Sequence, residues 1–393
     1  MTTSSVLAAI ARDLAPVLDF VENSAYAKRW GDPSISDFVF GNPHDMPLPG
    51  IANALTRWTE PEDKNWYAYQ RNEPDAVATV VSSLRESHGL AFEPEDVFLT
   101  PGAFGALSVT LRALLDPGDE VVFLSPPWFF YEAMIRLAGA APVRVRLEPP
   151  AFDPDPAAVE AALTERTRAI ILNTPHNPSG RLYGHDELAA VAGVLRTAAG
   201  RNGRPITVLA DEAYRRILFD GRSFTSPAAV YDDTIVLYTY GKTLLAPGER
   251  FGYAALHPSM ENRPALREAL TLSQIVGGWQ FPNAILQKAI GDLNALSIDV
   301  GALQARRDRL AAALPEMGYE LIVPEGTFYM LVRSPVEDDV AFTESLAAHD
   351  VFVGPGTIFE LPGWLRLSLT ANDDMVERSL PGFAAALDAV RPN

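Results

Sequence analysis

Residues 238–253, YTYGKTLLAPGERFGY, combine an aromatic run with a lysine and an arginine. This stretch overlaps a β-branched and aromatic run, 234–240, which stops at Gly241 and is followed at once by Lys242. This pattern predicts a strand that ends at a sheet edge, a loop that presents Lys242, and Arg250 where the chain turns back. Open α/β sheets bind ligands at the carboxyl ends of their strands, so Lys242 is well placed for chemistry.

The triplet Gly-Lys-Thr at 241–243 does not fit a phosphate-binding P-loop, because Val236 stands where that motif needs a glycine. Two interpretations of Lys242 stay open at this point. It is either a solvated surface lysine or an amine that forms a Schiff base in a pocket. The residues at the other predicted strand ends distinguish between these two interpretations of Lys242.

Short apolar runs alternate with helical patterns between residues 96 and 256, which predicts a layered α/β domain with a mostly parallel sheet. The predicted strands are 96–100, 120–125, 143–147, 168–173, 206–210, 234–240 and 252–256. We predict a large α/β domain over 48–285.

The pattern changes near residue 285, and a smaller α+β domain is predicted from 1–47 and 286–393. Its predicted elements are a helical stretch over 4–29, a strand at 38–40, a long helix at 282–314, strands at 320–323, 329–332 and 365–369, a helix at 340–348 and a final helix.

Composition restricts the class of protein. The net charge of −18 disfavours nucleic acid and anionic membrane surfaces as partners, because both select basic patches. The sequence has no cysteine, which excludes disulfides, thiolate catalysis and thiolate metal sites, and no metal site is predicted. No apolar run reaches the length of a membrane span, and no signal peptide is recognised. We expect a soluble, cytoplasmic protein that acts on small molecules.

Several predicted strands end in loops that carry binding chemistry. Residues 100–105, TPGAFG, would leave bare amides at a helix N-terminus, where anions bind. Trp128 could stack on a flat ring, Asn177 offers an amide, and Asp211 places a carboxylate that needs a cationic partner. Each also has an ordinary structural explanation, such as a core tryptophan or a helix cap. Together with Lys242 they suit a planar, phosphorylated aldehyde with a basic ring nitrogen.

With these motifs the chain resembles a fold-type I pyridoxal-phosphate (PLP) enzyme of the class I/II aminotransferase family, the aspartate aminotransferase superfamily. The resemblance runs from Gly41 to Arg366. It rests on NTPHNPSG (173–180), DEAY (211–214), the pattern K-T-x-x-x-x-G-x-R-x-G over 242–252, PEGTFY (324–329) and WLRLSL (364–369). It implies the PLP-transferase fold, with a three-layer large domain, and a ping-pong exchange of an amino group between an L-amino acid and a 2-oxo acid.

The resemblance also implies residue roles. Lys242 would form the Schiff base with PLP and shuttle the proton, and Asp211 would keep the ring nitrogen protonated. The implied contacts are Tyr214 and Asn177 at the phenolic oxygen, Trp128 on the ring, and Gly102, Ala103, Phe104, Thr239 and Arg250 at the phosphate.

On the substrate side, the resemblance implies that Arg366 clamps the α-carboxylate, with Asn177, Trp128 and Gly41 beside it. Tyr69, with Tyr67 as its rival, would reach the phosphate of a neighbouring subunit. A homodimer is therefore expected.

Two features depart from the family pattern. Ala103 and Phe104 stand where many relatives carry a glycine and a hydroxyl or lysine residue. Residues 273–283, SQIVGGWQFPN, lack the arginine that one dicarboxylate-specific subgroup places there. A side-chain carboxylate buried without a cation is costly, so we predict an apolar, aromatic or broad pocket formed by Trp279 and Phe281, with Phe38 or Phe40.

Two alternatives stay open. A lyase or synthase of the same fold, acting by β-elimination or cyclisation, would use the same catalytic set. The aminotransferase-like domain of a transcription regulator is disfavoured by the acidic charge and by motifs that begin at residue 41.

Overall fold

The computed structural model describes residues 4–280 and 282–391. Its helices are α1 Ser5–Asp13, α2 Ala15–Asn23, α3 Ala25–Arg29, α4 Pro49–Arg57, α5 Pro74–His88, α6 Gly102–Leu114, α7 Tyr131–Leu137, α8 Pro156–Ala162, α9 His185–Asn202, α10 Tyr240–Thr243, α11 Arg263–Gly277, α12 Ala284–Asn294, α13 Val300–Met317, α14 Asp339–Ala347 and α15 Asp373–Val390. Its strands are β1 Ser36–Phe38, β2 Val97–Thr100, β3 Glu120–Ser125, β4 Ala141–Arg146, β5 Thr167–Asn173, β6 Thr207–Asp211, β7 Thr234–Thr239, β8 Gly252–Leu256, β9 Leu321–Ile322, β10 Tyr329–Arg333, β11 Val351–Pro355 and β12 Trp364–Ser368.

The large sheet has seven strands in the order β2-β8-β7-β6-β5-β3-β4. Five neighbouring strands, β3 to β7, run parallel, and β8 runs antiparallel to both β7 and β2. The strands β3, β6, β7 and β8 are buried along their whole length because two apolar layers cover the two faces of the sheet. The predicted layered α/β fold with a mostly parallel sheet is confirmed.

A second, smaller sheet has the order β1-β11-β12-β10-β9. β1 comes from the N-terminal segment and pairs in parallel with β11, so that Ser36 lies opposite Val351. The strand β11 was not predicted from the sequence pattern, and β1 lies two residues earlier than predicted. Phe38 belongs to the apolar core between this sheet and helices α13 and α15.

Two predicted helices were wrong in extent. Residues 4–29 form three helices, because Pro16 begins α2 without a backbone donor and Ser24 caps α3 by accepting the amide of Ala27. The predicted helix over 282–314 is divided into α12 and α13, and the Asp299 carboxylate caps the second. α12 packs on α4 and α5 of the large-sheet side. The domain boundaries at 47/48 and 285/286 stay a prediction.

The parallel strands bring their carboxyl ends to one edge of the large sheet. Asn173 at the end of β5 pairs with Asp211 at the end of β6, and Asp211 pairs with Leu237 on β7. Lys242 follows three residues after the end of β7, in the short helix α10. Among residues 4–280 and 282–391, no helix combines the length and apolar character needed to cross a membrane.

Candidate active site

A cavity of about 270 Å³ lies at this sheet edge, between the large sheet and the small one. The predicted site residues that line it are Gly41, Ala103, Phe104, Trp128, Asn177, Asp211, Tyr214, Thr239, Lys242, Arg250 and Arg366. Gly102 lies directly behind the side chains of Thr239 and Arg250. Segments far apart in sequence therefore meet at one cavity, while the role of each residue stays a prediction.

Lys242 lies on the one-turn helix α10 rather than in an open loop. This turn forms because the Thr239 hydroxyl caps it, accepting the amide hydrogen of Gly241 at 3.2 Å. The Lys242 Nζ lies 5.7 Å from the ring centre of Tyr214 and 5.5 Å from that of Phe328. The amine is thus held over aromatic faces inside the cavity.

The N-terminus of α6 forms an anion-sized recess with Thr239 and Arg250. Gly102 has φ +72°, and a Cβ there would lie 3.2 Å from Thr239 Oγ1 and 3.4 Å from an Arg250 guanidinium nitrogen. Arg250 itself adopts the left-handed conformation, φ +46°, and donates a hydrogen bond to the Pro247 carbonyl at 2.8 Å. A bare glycine, a hydroxyl and a guanidinium at a helix N-terminus match the requirements of a phosphate group.

Asp211 ends β6 as a fully buried carboxylate. Its Oδ2 accepts a hydrogen bond from the Tyr131 hydroxyl at 2.5 Å, and its Oδ1 accepts one from the Ala213 amide at 3.2 Å. Burial raises the pKa of Asp211 above its ordinary value, while these two hydrogen bonds and the charge of Lys242 oppose that rise. A carboxylate in this setting favours a cationic partner on the cavity side.

Arg366 on β12 is buried and lies between two rings, with its guanidinium carbon 3.8 Å from the centres of both Tyr329 and Phe359. It donates hydrogen bonds to the Asn177 side-chain oxygen and to the Val39 carbonyl, both at 3.1 Å. Its Nε makes no hydrogen bond within the described part of the chain. The guanidinium is therefore fixed in direction and has donors left for an incoming carboxylate.

Tyr329 is a site residue that the sequence analysis did not select, although it ends the motif PEGTFY. Its hydroxyl meets the hydroxyl of Tyr214 and the amide of Gly41. Burial alone would raise its pKa, yet the positive charges of Arg366 and Lys242 bring the pKa of Tyr329 below its ordinary value. Burial raises the pKa of Tyr214 well above its ordinary value, so Tyr214 is the donor of the pair.

Aromatic rings form one wall of the cavity. Phe104 packs edge-to-face on Trp128 at 5.0 Å and lies 5.4 Å from Phe130, while Phe129 and Phe130 are 4.5 Å apart. Leu107 completes this wall. The side chains that follow Trp128 in sequence could have been recognised as pocket residues, because they follow the same strand end.

The predicted side-chain pocket needs correction. Phe40 lines the cavity, but Phe38 points into the core of the small domain, where its ring lies 6.3 Å from Phe383. Trp279 is not among the lining residues and instead packs on the apolar layer behind α6 and α11. Phe281 lies outside the described residues.

Tyr69 is 88% exposed and does not line the cavity of its own chain. Its rival Tyr67 donates a hydrogen bond from its hydroxyl to the Thr59 carbonyl of the same chain. Tyr67 is thus engaged within the 59–67 segment. The contact with a neighbouring subunit stays a prediction.

Comparison with known proteins places this arrangement in context. The family model described as aminotransferase class I and II matches residues 34–381. A probable aspartate/prephenate aminotransferase of Thermus aquaticus is 31% identical over 348 residues, which is 87% of this chain and 89% of the relative.

Two solved structures are similar over nearly the whole chain. An amino transferase from Eubacterium rectale matches with a TM-score of 0.88 and 28% identity, covering 100% of this chain and 97% of that one. A tetra mutant of Thermus thermophilus aspartate aminotransferase, complexed with tryptophan, matches with a TM-score of 0.80 and 28% identity, covering 98% and 97% of the two chains.

Proposed function

Because this chain belongs to the class I and II aminotransferase family and is a PLP-dependent aminotransferase, we propose that its preferred amino donor is an L-amino acid with an apolar or aromatic side chain. One observation carries the proposal. The aromatic wall of the cavity consists of Phe104, Phe129 and Phe130 with Trp128, and within the described residues the lining cations are Lys242, Arg250 and Arg366 alone. Each of those three has a role in the common chemistry, so none is left to neutralise a second carboxylate.

The residues of the cavity fit PLP. The recess between Gly102, Thr239 and Arg250 suits its phosphate, and Asp211 offers a buried carboxylate for its ring nitrogen. Trp128 offers an aromatic face for the ring. When bound, PLP supplies an aldehyde that captures amines and a protonated ring that draws electrons away from the substrate Cα.

The chain's own residues would supply the hydrogen bonds to the cofactor and the proton transfer. Asp211 would hold the proton on the ring nitrogen, and the Asn177 amide would donate a hydrogen bond to the phenolic oxygen. Tyr214 would donate to the same oxygen by turning its hydroxyl away from Tyr329. Lys242 Nζ would take the proton from the substrate Cα and hold it for return during the exchange.

Arg366 orients the substrate by binding the α-carboxylate through guanidinium donors that Asn177 and Val39 hold in direction. With the α-carboxylate fixed there, the substrate side chain is directed towards Phe40 and the Phe104 wall. Gly41 allows the N-terminal segment to lie close to Tyr329. A second carboxylate directed at this wall would lose its hydration without gaining a charged partner.

The relatives favour a second candidate, in which aspartate is the donor. The Thermus aquaticus relative is named for aspartate and prephenate. The tetra mutant from Thermus thermophilus, however, is complexed with tryptophan, which supports the compatibility of this fold with an aromatic side chain. A lyase of the same fold is the third outcome to be tested.

A half-reaction separates these candidates. The PLP-loaded protein is mixed with L-phenylalanine, L-leucine or L-aspartate without any oxo acid, and the absorption of the bound cofactor is followed. We expect stable conversion to the amino form, about ten times faster or more with phenylalanine than with aspartate, which is about 1.4 kcal/mol of discrimination. A faster reaction with aspartate would establish the second candidate. Release of hydrogen sulfide, ammonia and pyruvate from L-cysteine, which carries a leaving group on Cβ, without stable conversion of the cofactor would indicate a lyase.

We further propose a cytoplasmic homodimer in which Tyr69 contributes to the neighbouring site. The exposed apolar side chains of α11, led by Val276 at 84% and Leu272 at 53%, support a subunit contact on that face. Arg71, close to Tyr69 in sequence, lines the same groove as Leu272.

The shared site is testable by mixing two inactive variants, Lys242→Ala and Tyr69→Ala. After subunit exchange, a mixed dimer has one site with both changes and one site with neither, so activity should return to about a quarter of the wild-type value at equal mixing. Mixtures that stay inactive although light scattering reports exchanged dimers would refute the contribution of Tyr69.

A further inference from the structure

The end of strand β3 and the loop after it, residues 125–131, have the sequence SPPWFFY and end in Tyr131. Neither the sequence pattern nor the proposed function assigns a role to Tyr131. Tyr131 begins α7 and is 2% exposed. Its ring packs on Trp128 at 5.5 Å with an interplanar angle of 80°, and its hydroxyl donates to Asp211 Oδ2 at 2.5 Å. It therefore contacts both the aromatic plate and the carboxylate of the site.

Because Asp211 is buried, it needs hydrogen-bond donors or a nearby positive charge to stay ionised. The groups that act on it are the Tyr131 hydroxyl from α7, the Ala213 amide, the Lys242 amine from α10 and the like charge of its neighbour Glu212. The Glu212 carboxylate is engaged elsewhere, with His88 and Arg215. Lys242 cannot serve as a permanent counter-charge, because its amine would form the Schiff base with PLP and take part in proton transfer. Among the side chains of residues 4–280 and 282–391, this leaves the Tyr131 hydroxyl as the constant hydrogen-bond donor to the Asp211 carboxylate.

The hydrogen bonds to Asp211 also fix the orientation of its carboxylate. One oxygen of Asp211 is bound to the Ala213 amide and the other to Tyr131, so the carboxylate plane cannot rotate about its Cβ–Cγ bond without losing both bonds. Each carboxylate oxygen has two acceptor positions, so positions remain for a donor on the cavity side. Asp211 is thus held in the orientation that a ring nitrogen requires.

We propose that Tyr131 is a positioning residue for the cofactor: through its hydrogen bond to Asp211 it keeps that carboxylate ionised and aimed at the pyridine nitrogen of PLP. The inference rests on the proposed placement of Asp211 against that nitrogen. The Tyr131 phenol would thereby help to keep the ring nitrogen protonated, which is the state in which the ring withdraws electrons. No proton transfer by Tyr131 is involved.

The test is binding of PLP to the apo-protein, with Tyr131→Phe compared against Tyr183→Phe. Tyr183 is an appropriate control because it is fully buried and its hydroxyl makes no hydrogen bond within the described residues. A hydrogen bond to a charged group corresponds to about a ten- to hundred-fold change in affinity. We expect PLP to bind Tyr131→Phe weaker by about that factor at pH 7, and Tyr183→Phe to bind as the wild type does.

The pH dependence separates positioning from general damage. For the wild type, PLP affinity should fall at acid pH as Asp211 becomes protonated. In Tyr131→Phe the midpoint of this fall should move upward by about 1 to 2 pH units, because the charged carboxylate has lost a donor. Incorporation of 2,3,5-trifluorotyrosine at position 131 makes a stronger donor of the same shape, and should move the midpoint downward.

Equal affinities and equal midpoints for Tyr131→Phe and Tyr183→Phe would overturn the proposal. If Tyr131→Phe does not fold, as judged by thermal unfolding of the apo-protein, the fluorotyrosine variant decides, and an unchanged midpoint refutes the idea. These measurements use no amino acid, so they are independent of the donor preference. Failure of the wild type to bind PLP with Asp211 intact would instead refute the proposed placement of the cofactor.

Discussion

The side-chain oxygen of Asn177 accepts a hydrogen bond from the Arg366 guanidinium at 3.1 Å, although 189 positions separate the two residues in sequence. Asn177 lies in the loop after β5 of the large sheet, and Arg366 lies on β12 of the small sheet. The backbone amide of Asn177 is itself held by the Asn173 side chain at 2.8 Å. One amide group thus connects the proposed cofactor site with the proposed carboxylate clamp.

Asn177→Ala should therefore weaken two functions at once. Loss of the amide leaves a buried donor of Arg366 without its partner and removes a proposed donor to PLP. We expect KM for the donor amino acid to rise about ten- to hundred-fold and PLP affinity to fall. Steady-state kinetics and PLP titration check both. Ser179→Ala is the matched control, because the Ser179 hydroxyl bonds His176 rather than Arg366. A change in only one of the two quantities would separate the functions of Asn177.

Phe104→Lys should change donor preference. The substitution places a cation in the aromatic wall, where a substrate carboxylate would be desolvated. We expect the ratio of kcat/KM for aspartate over phenylalanine to increase by about a hundred-fold, or about 2.7 kcal/mol. Phe104→Leu, the control, should lose activity towards phenylalanine without gaining it towards aspartate. An unchanged ratio in the lysine variant would mean that the substrate side chain does not lie against residue 104.

Gly41→Ala should disturb the site through sterics alone. An added Cβ would lie 2.4 Å from a ring carbon of Phe328 and 2.8 Å from the Tyr329 hydroxyl, so both rings must move. Overpacking of this kind costs about 1–3 kcal/mol of the free energy of unfolding. The urea concentration at the midpoint of unfolding and kcat/KM should both be lower than for the wild type. Gly193→Ala, in a helix with nothing within 4 Å of the new atom, should leave activity unchanged. Equal results for the two variants would contradict the close approach at Gly41.

Glu212→Gln should lower stability near neutral pH and reduce its loss in acid. Glu212 is fully buried and paired with His88 at 2.9 Å and Arg215 at 3.2 Å. Burial alone would raise its pKa, but the positive charges of His88 and Arg215 bring the pKa of Glu212 below its ordinary value. Its stabilisation is therefore complete above the unfolded-state pKa of 4.5 and is lost as pH falls through the lower folded value.

Thermal unfolding from pH 7 to pH 3 checks this prediction. At pH 7 the glutamine variant should be less stable by about 3–5 kcal/mol, because a buried cation loses its partner. Below pH 4.5 the difference should shrink. Glu377→Gln, at an exposed pair with Arg309, is the control and should change little. A difference that stays constant with pH would show that the charge of Glu212 is not what stabilises the fold.

The chemistry of the strand ends could be predicted because it is local. Each of Asn177, Asp211 and Lys242 follows an apolar run directly, and parallel strands bring such ends to one edge of a sheet. The family resemblance added the roles of Arg250 and Arg366. Glycine at position 102 and a hydroxyl at 239 could be recognised in the same way, since a strand–helix turn restricts which residues fit.

The sequence analysis missed residues whose side-chain direction is set by how helices and strands pack together. Tyr131 and Trp128 lie in one motif, but only the start of α7 turns the Tyr131 hydroxyl towards Asp211. Strand alternation would place Phe38 and Phe40 on the same face, but β1 ends at Phe38 and the chain bends at residues 39–40. Phe38 therefore lies in the core, while Phe40 lines the cavity.

By itself the sequence determined the fold class, the order of the strand ends and the reactive groups on them, because these follow from apolar runs and turn residues that are neighbours in the chain. Only the tertiary structure decided that Phe104, Phe129 and Phe130 form the cavity wall, that Trp279 stays behind α6 and α11, and that Tyr131 bonds Asp211. The physical reason is that local pattern specifies which residues are buried, whereas the partner that each buried side chain meets is set by packing between elements distant in sequence.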